Sequence, residues 1–279
     1  MTIPVLALLF TLITTAESRA EVINCVNGKY ADGTDCEKCG KNCDWSFDTE
    51  SGKLNVSGSG SMYNYSHSTD SETNAQYTTA PWKAYKEKIK SVKVEGLSTI
   101  GSYAFCHSGG KLTAVEMSDT VTDINDGAFA WNGAISTIKL SDSLKSIGYI
   151  AFRYSAGGFS PSIIVPDTLE EVEFGSLGTN KNKIQNMQII CLGDEQSCAR
   201  VKNLFNEYEH YGNDYSEETL ELAGNVVVVN YEQCTSGNYF WNGAGCVREP
   251  DLSKRKCCSS CKDMGGYCNR IRYTPAEAA

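Results

Sequence analysis

Three segments in the middle of the chain, IGSYAF (100–105), INDGAF (124–129) and IGYIAF (147–152), repeat one pattern at spacings of 24 and then 23 residues. Upstream of each stands a second shared element: Ile89-x2-Val92-x-Val94, Leu112-x2-Val115-x-Met117 and Ile135-x2-Ile138-x-Leu140. Ile163 and Val165 fill the last two places of a later copy, and Ile184-x2-Met187-x-Ile189 supplies another. The turns match as well, in Ser118-Asp119-Thr120-Val121, Ser141-Asp142-Ser143-Leu144 and Pro166-Asp167-Thr168-Leu169. A fourth copy decays, with Val172, Ser176 and Leu177 where Ile, Ala and Phe stood. A period of this length dictates an array of stacked units, since one unit alone cannot bury its apolar side.

Each unit can be read physically. Apolar-x-apolar alternation buries one face of a short strand. The Asp after it bonds its own backbone and turns the chain. The next apolar residue and Ile, such as Val121 and Ile124, give a second buried contact. Ala then allows close backbone approach, and Phe fills the core. This predicts one column of Phe105, Phe129 and Phe152 beside Ala104, Ala128 and Ala151.

The phrase apolar-x-x-Ile-Gly-x-x-Ala-Phe resembles the BspA-like branch of leucine-rich repeats, found in bacterial and protist surface proteins. The stretch before it is similar to the opening module of that family. Trp45-x-Phe47-Asp48, Gly52-Lys53-Leu54, Ser57-Gly58-x-Gly60, Met62 and Pro81-Trp82 occur in order. The resemblance covers about residues 44–208. It implies a right-handed coil with parallel strands and a role in adhesion or recognition. It supplies neither a ligand nor catalytic residues, because such families share a scaffold and vary its surface.

The expected fold is therefore a β-rich leucine-rich-repeat solenoid with covered ends and small disulfide-rich extensions. Trp45–Phe47 and Leu54–Val56 around Glu50-Ser51-Gly52 read as an N-terminal capping hairpin. Gln196–Tyr208 reads as a C-terminal capping helix, with Val201, Leu204, Phe205 and Tyr208 on one face. The polar stretch from Tyr63 to Thr79 reads as a mobile surface loop. The implied organisation is a signal peptide (1–20), a cysteine-rich segment (21–43), an N-terminal capping module (44–88), repeats with their C-terminal cap (89–208) and a cysteine-rich C-terminal module (209–279).

The compartment is indicated by the N-terminus and the cysteines. Pro4–Ala16 is an apolar run short for a bilayer span, with small residues after it that fit a signal-peptidase site, although no basic residue precedes it. The expectation is a secreted protein with no membrane insertion once that segment is removed. The 13 cysteines fall in even clusters: Cys25, Cys36, Cys39 and Cys43; Cys191 and Cys198; and Cys234, Cys246, Cys257, Cys258, Cys261 and Cys268. Even clusters are what disulfides closing within each group require, and Cys106 is left over as a buried free thiol. A Cys191–Cys198 bridge would close a small loop at the start of the capping helix. The Cys-x2-Cys pairs lack histidine partners, which argues for bridges over zinc.

Chemistry is sparse. The formal charge of −9 argues against a nucleic-acid partner. The three histidines, His67, His107 and His210, form no metal-binding pattern. Ser66, His67 and Asp70 lie in a stretch with no visible scaffold, and Cys106 and His107 are neighbours whose side chains diverge along extended backbone. Ser57-Gly58-Ser59-Gly60-Ser61 matches neither a nucleophile elbow nor a phosphate loop and reads as close backbone contact. No catalytic residue, metal or cofactor is assigned. The residues between the inward positions of each strand must face outward: Lys93, Glu116, Lys139, Ile164 and Gln188. They are expected to form one stripe, either a solvated charge ladder or a track for an extracellular protein or glycan. Asn55 and Asn64 begin glycosylation sequons. The leading reading is a secreted, non-catalytic binding protein. A secreted effector or inhibitor acting through a terminal cysteine-rich module is the alternative, with an extracellular hydrolase behind it.

Overall fold

A computed structural model describes residues 21–69, 76–155, 162–178, 181–211, 216–229, 239–241 and 246–248. Residues 1–20, expected to be a signal segment, and all the C-terminal cysteines except Cys246 lie outside these residues.

The chain opens with β1 (Val22–Cys25), β2 (Gly40–Asp48) and β3 (Lys53–Met62), paired antiparallel. Trp45 and Phe47 of β2 and Leu54 and Val56 of β3 alternate inward and are buried. Disulfides Cys25–Cys36 and Cys39–Cys43 cross-link this segment. The Ser57–Ser61 run makes the close backbone contact expected of it, since a Cβ built on Gly58 would collide with the backbone oxygen of Asn42.

From β3 onward the pairing turns parallel. β6 (Ser91–Ile100) is long enough to serve two ladders. Its first half pairs with β7 (Ala114–Met117), which pairs with β9 (Thr137–Lys139); its last residues pair with β8 (Asp123–Ile124), then β10 (Ser146–Ile147) and β12 (Glu171–Val172). The repeats of β7–β8 and β9–β10 thus add one strand to each ladder, in the register the sequence pattern implies, and the following repeat adds β12 to the second alone. On a third side the turns bond to one another, with Phe105 N–H donating to Ala128 O and Phe129 N–H to Ala151 O, both at 2.8 Å. Phe105, Phe129 and Phe152 are fully buried and stack at 5.2 Å. Trp82 extends the column, stacking on Phe105 at 5.1 Å and donating from its indole N–H to Ala104 O at 2.8 Å.

Beyond the repeats lies a separate parallel sheet of β11 (Ser162–Pro166), β13 (Gln188–Leu192) and β16 (Val226–Val229), with α1 (Lys181–Gln185) preceding β13. Helix α2 (Glu195–Asn203) comes after it, capped by the Asp194 carboxylate, which accepts from Ser197 N–H at 2.8 Å. Arg200 of α2 donates to the carbonyls of Leu169 and Asp167 and ties the helix to the preceding repeat. A two-stranded pair, β14 (Tyr208–Tyr211) with β15 (Glu217–Leu220), comes next, and β17 (Tyr239–Trp241) pairs with β18 (Cys246–Arg248).

Two expectations fail here. The helix expected to reach Tyr208 ends at Asn203, because Tyr208 is needed elsewhere: its buried hydroxyl accepts Leu177 N–H at 2.6 Å. Residues 63–79 are not simply a mobile loop. They contain a hairpin of β4 (His67–Thr69) and β5 (Gln76–Thr78), and buried Thr78 donates to Tyr103 O at 2.7 Å, fastening it to the first repeat. Among the described residues no helix is long and apolar enough to cross a membrane.

Candidate functional site

The structure divides the expected outward stripe in two. Lys93, Glu116 and Lys139 are register partners across β6, β7 and β9; Lys93 and Glu116 are half-buried and Lys139 is exposed. The column continues onto the antiparallel strands through Asn55 of β3 and Ser46 of β2. Lys93 contacts Glu95 of its own strand at 2.8 Å and Lys139 contacts Asp119 at 3.8 Å, so the lysines draw on carboxylates beside the column. The first ladder ends at β9, with β11 opening the separate sheet.

In that sheet the expected pairing of Ile164 with Gln188 is wrong by two residues. Gln188 faces Ser162, whereas Ile164 faces Ile190. Met187, Ile189 and Cys191 are all buried in the core, and it is the later two that pair with Ile163 and Val165. The outward residues are consequently apolar: Ile190, only 1% exposed, clusters with Ile164, Leu192 and Val227.

Cys191 of β13 and Cys198 of α2 form a disulfide, as their spacing suggested. Asn55 lies on the outer face of β3, and exposed Asn64 accepts from Ser102 N–H and the Asn125 amide, both at 2.9 Å. Cys106 is a buried free thiol; burial pushes its pKa up to about 12, which keeps it protonated and poorly nucleophilic. Ser66 Oγ lies 3.5 Å from Thr79 Oγ1, and Asp70 lies outside the described residues. Buried His210 lies 3.1 Å from Glu218 O and 3.7 Å from the Glu218 carboxylate, inside the β14–β15 pair. Among the described residues no group of three or more His, Cys, Asp or Glu side chains could hold a metal ion.

A second locus escaped sequence reasoning. Two residues after each core phenylalanine stand His107, Trp131 and Tyr154, all with left-handed backbone at φ 51°, 59° and 55°. Such a conformation costs an L-residue about 1–2 kcal/mol, and bulky side chains seldom adopt it. The residue after each of the first two rings holds its turn: Ser108 N–H donates to the Asn132 side chain at 2.9 Å, and Asn132 N–H donates to Ser155 Oγ at 3.0 Å. The imidazole of His107 stacks on Trp131 at 4.4 Å with the planes 5° apart. The Arg153 guanidinium lies 6.0 Å from the Trp131 ring and 4.9 Å from that of Tyr154, and His67 of β4 sits 5.3 Å from Trp131. Burial, reinforced by the charges of His67 and Lys86, lowers the pKa of His107 to about 4. Its Nε2 is enclosed with no hydrogen-bond partner among the described residues, so the ring is neutral at physiological pH.

Beside these rings opens a cleft of about 330 Å³, lined by Gln76, Glu87, His107, Gly109, Gly110 and Trp131. The longer spacing of the first repeat is absorbed here. Three residues, Gly109 to Lys111, separate Ser108 from Leu112, where Gly133 and Ala134 alone separate Asn132 from Ile135. Gly109 and Gly110 are both left-handed, and a Cβ on Gly109 would strike the Glu87 carboxyl group. The recurrence of a ring two residues after each core Phe was the available signal.

Among known proteins, the BspA type leucine rich repeat region matches residues 53–190 in six copies. The chain matches none of the curated proteins. A crystallised leucine-rich repeat protein from Eubacterium ventriosum is similar at 20% identity over 65% of this chain, with a TM-score of 0.38. The chain spans 47% of that protein, and so loose a superposition carries no argument.

Proposed function

This chain belongs to the BspA-type leucine-rich repeat family through residues 53–190, and from that premise we propose that it is a secreted, non-catalytic recognition protein. In this reading the repeats wind as a right-handed solenoid. The β2–β3 hairpin covers one end, helix α2 covers the other, and residues 1–20 are removed on export. The single observation that carries the reading is the register of the outer column, Ser46, Asn55, Lys93, Glu116 and Lys139 on five adjacent strands. At roughly 4.8 Å per strand, such a column gives a polar track of about 19 Å. The track suits an extended segment of an extracellular protein or glycan, with small Ser91 and Ala114 leaving room beside it. Asn55 within the track is a candidate glycosylation site, and a glycan there would cover it.

The test is to array the full chain against extracellular-matrix proteins and glycans, then measure the captured ligand with Lys139→Glu and Glu116→Lys variants. Both should weaken binding roughly tenfold or more at unchanged thermal stability. Unchanged affinity in both removes the site from this face.

A further inference from the structure

The cleft beside His107 lies in the turns, apart from the strand face, and its lining excludes most ligand classes. A cation is disfavoured because Arg153 already lies over Trp131 and Tyr154, and Lys86 stands next to Glu87. An anion would meet the Glu87 carboxylate. A wholly apolar ligand would bury Glu87, the Gln76 amide and two glycine backbones without partners. A neutral molecule with one apolar face and a rim of hydroxyls satisfies every group. A β-linked glucopyranose is such a molecule, since its equatorial hydroxyls leave a flat face of axial C–H bonds.

The ring ladder gives that face a place. Trp131 covers one side of the His107 ring, and the cleft is completed around His107 by Gln76, Glu87, Gly109 and Gly110, residues drawn from the hairpin, the segment before β6 and the enlarged turn. The volume of about 330 Å³ lies at the small end of ligand pockets and suits one or two sugar rings.

We propose that this cleft is a saccharide-binding site, in which a β-linked glucopyranose packs its C–H face against the stacked His107 and Trp131 rings that line it. Its hydroxyls donate to the Glu87 carboxylate and the Gln76 carbonyl and accept from the Gln76 amide and the Gly109–Gly110 backbone. Because the His107 ring contributes a face and not a proton, phenylalanine can replace it.

Calorimetric titration of the full chain with cellohexaose, laminarihexaose and triacetylchitotriose tests the assignment, with tryptophan fluorescence as a second readout. At least one sugar should bind saturably. His107→Ala should weaken that binding about tenfold, His107→Phe should stay within about threefold of the parent, and Glu87→Gln should lose several-fold. Lys139→Glu, on the strand face, should bind as the parent does, so failure of this site and failure of the strand-face reading are distinguishable. If His107→Ala does not fold, the exposed Glu87→Gln variant decides alone. The proposal is overturned if no sugar binds, if the folded His107→Ala or the Glu87→Gln variant binds normally, or if His107→Phe loses as much as His107→Ala. It is also overturned if Gly-Trp-Gly binds the cleft and the sugars do not, which would mark a peptide aromatic as the ligand.

Discussion

The ladder β3–β6–β7–β9 and the sheet β11–β13–β16 use the same parallel pairing and line the same core, yet they differ on their outer faces. The first presents half-buried Asn55, Lys93 and Glu116 and exposed Lys139. The second presents Ile164, Ile190, Leu192 and Val227, with Ile190 nearly inaccessible. Parallel strands buried on both faces read as continuous apolar runs, and Ile189–Leu192 is such a run; strands with one wet face alternate, as Ser91–Val94 does. The inner face therefore sets the stacking, and the outer face is free to diverge from sheet to sheet.

The shared core gives the largest expected effect. Phe129→Ala, in the middle of the ring column, should cost about 3–5 kcal/mol in denaturant unfolding. A loss under about 1 kcal/mol would mean the repeats do not stack through this column. The outer faces separate next. Ile190→Ala should cost about 2 kcal/mol or more, while Lys139→Ala should stay within about 0.5 kcal/mol, as exposed ion pairs do. Equal costs would break the comparison.

The smallest effect sharpens the polar side. The Asp142 carboxyl, close after β9, is raised above the usual carboxylate range by burial and by neighbouring Asp119. The folded form thus binds its proton more tightly than the unfolded chain does. That contribution to stability is present below the unfolded carboxylate value and is lost as pH rises through the folded one. Asp142→Asn should accordingly stabilise the protein at pH 7, with the gain fading toward about pH 3, where the parent carboxyl is itself protonated. A gain that persists in acid would point to another cause.

How far the sequence led depended on whether a pattern had one physical solution. Phe105, Phe129 and Phe152 admit a single stacking, and the structure has it. Met187, Ile189 and Cys191 all point into the core, so alternation allows two registers two residues apart, and the expected site residue Gln188 slipped by two. The β4–β5 hairpin has almost no apolar residues to alternate, and side chain–backbone bonds such as that from Thr78 fasten it. The aromatic cleft was hidden for a third reason. Left-handed turns are read from glycine and asparagine, and here the turns carry Tyr103, His107, Trp131, Ile150 and Tyr154.

The extra residue among Gly109, Gly110 and Lys111 bears on how such an array acquires individuality. Gene duplication copies a repeat whole, and identical copies have translational symmetry, so every turn offers the same ridge and none is a unique address. A one-codon change of length is the smallest heritable step that breaks that symmetry while leaving the strands on either side in register. In a corner already tolerant of left-handed backbone, that step turns a convex edge into a hollow at one turn of the array. Repeat families can in this way diversify their sites by length polymorphism at corners, leaving the buried columns under unchanged selection.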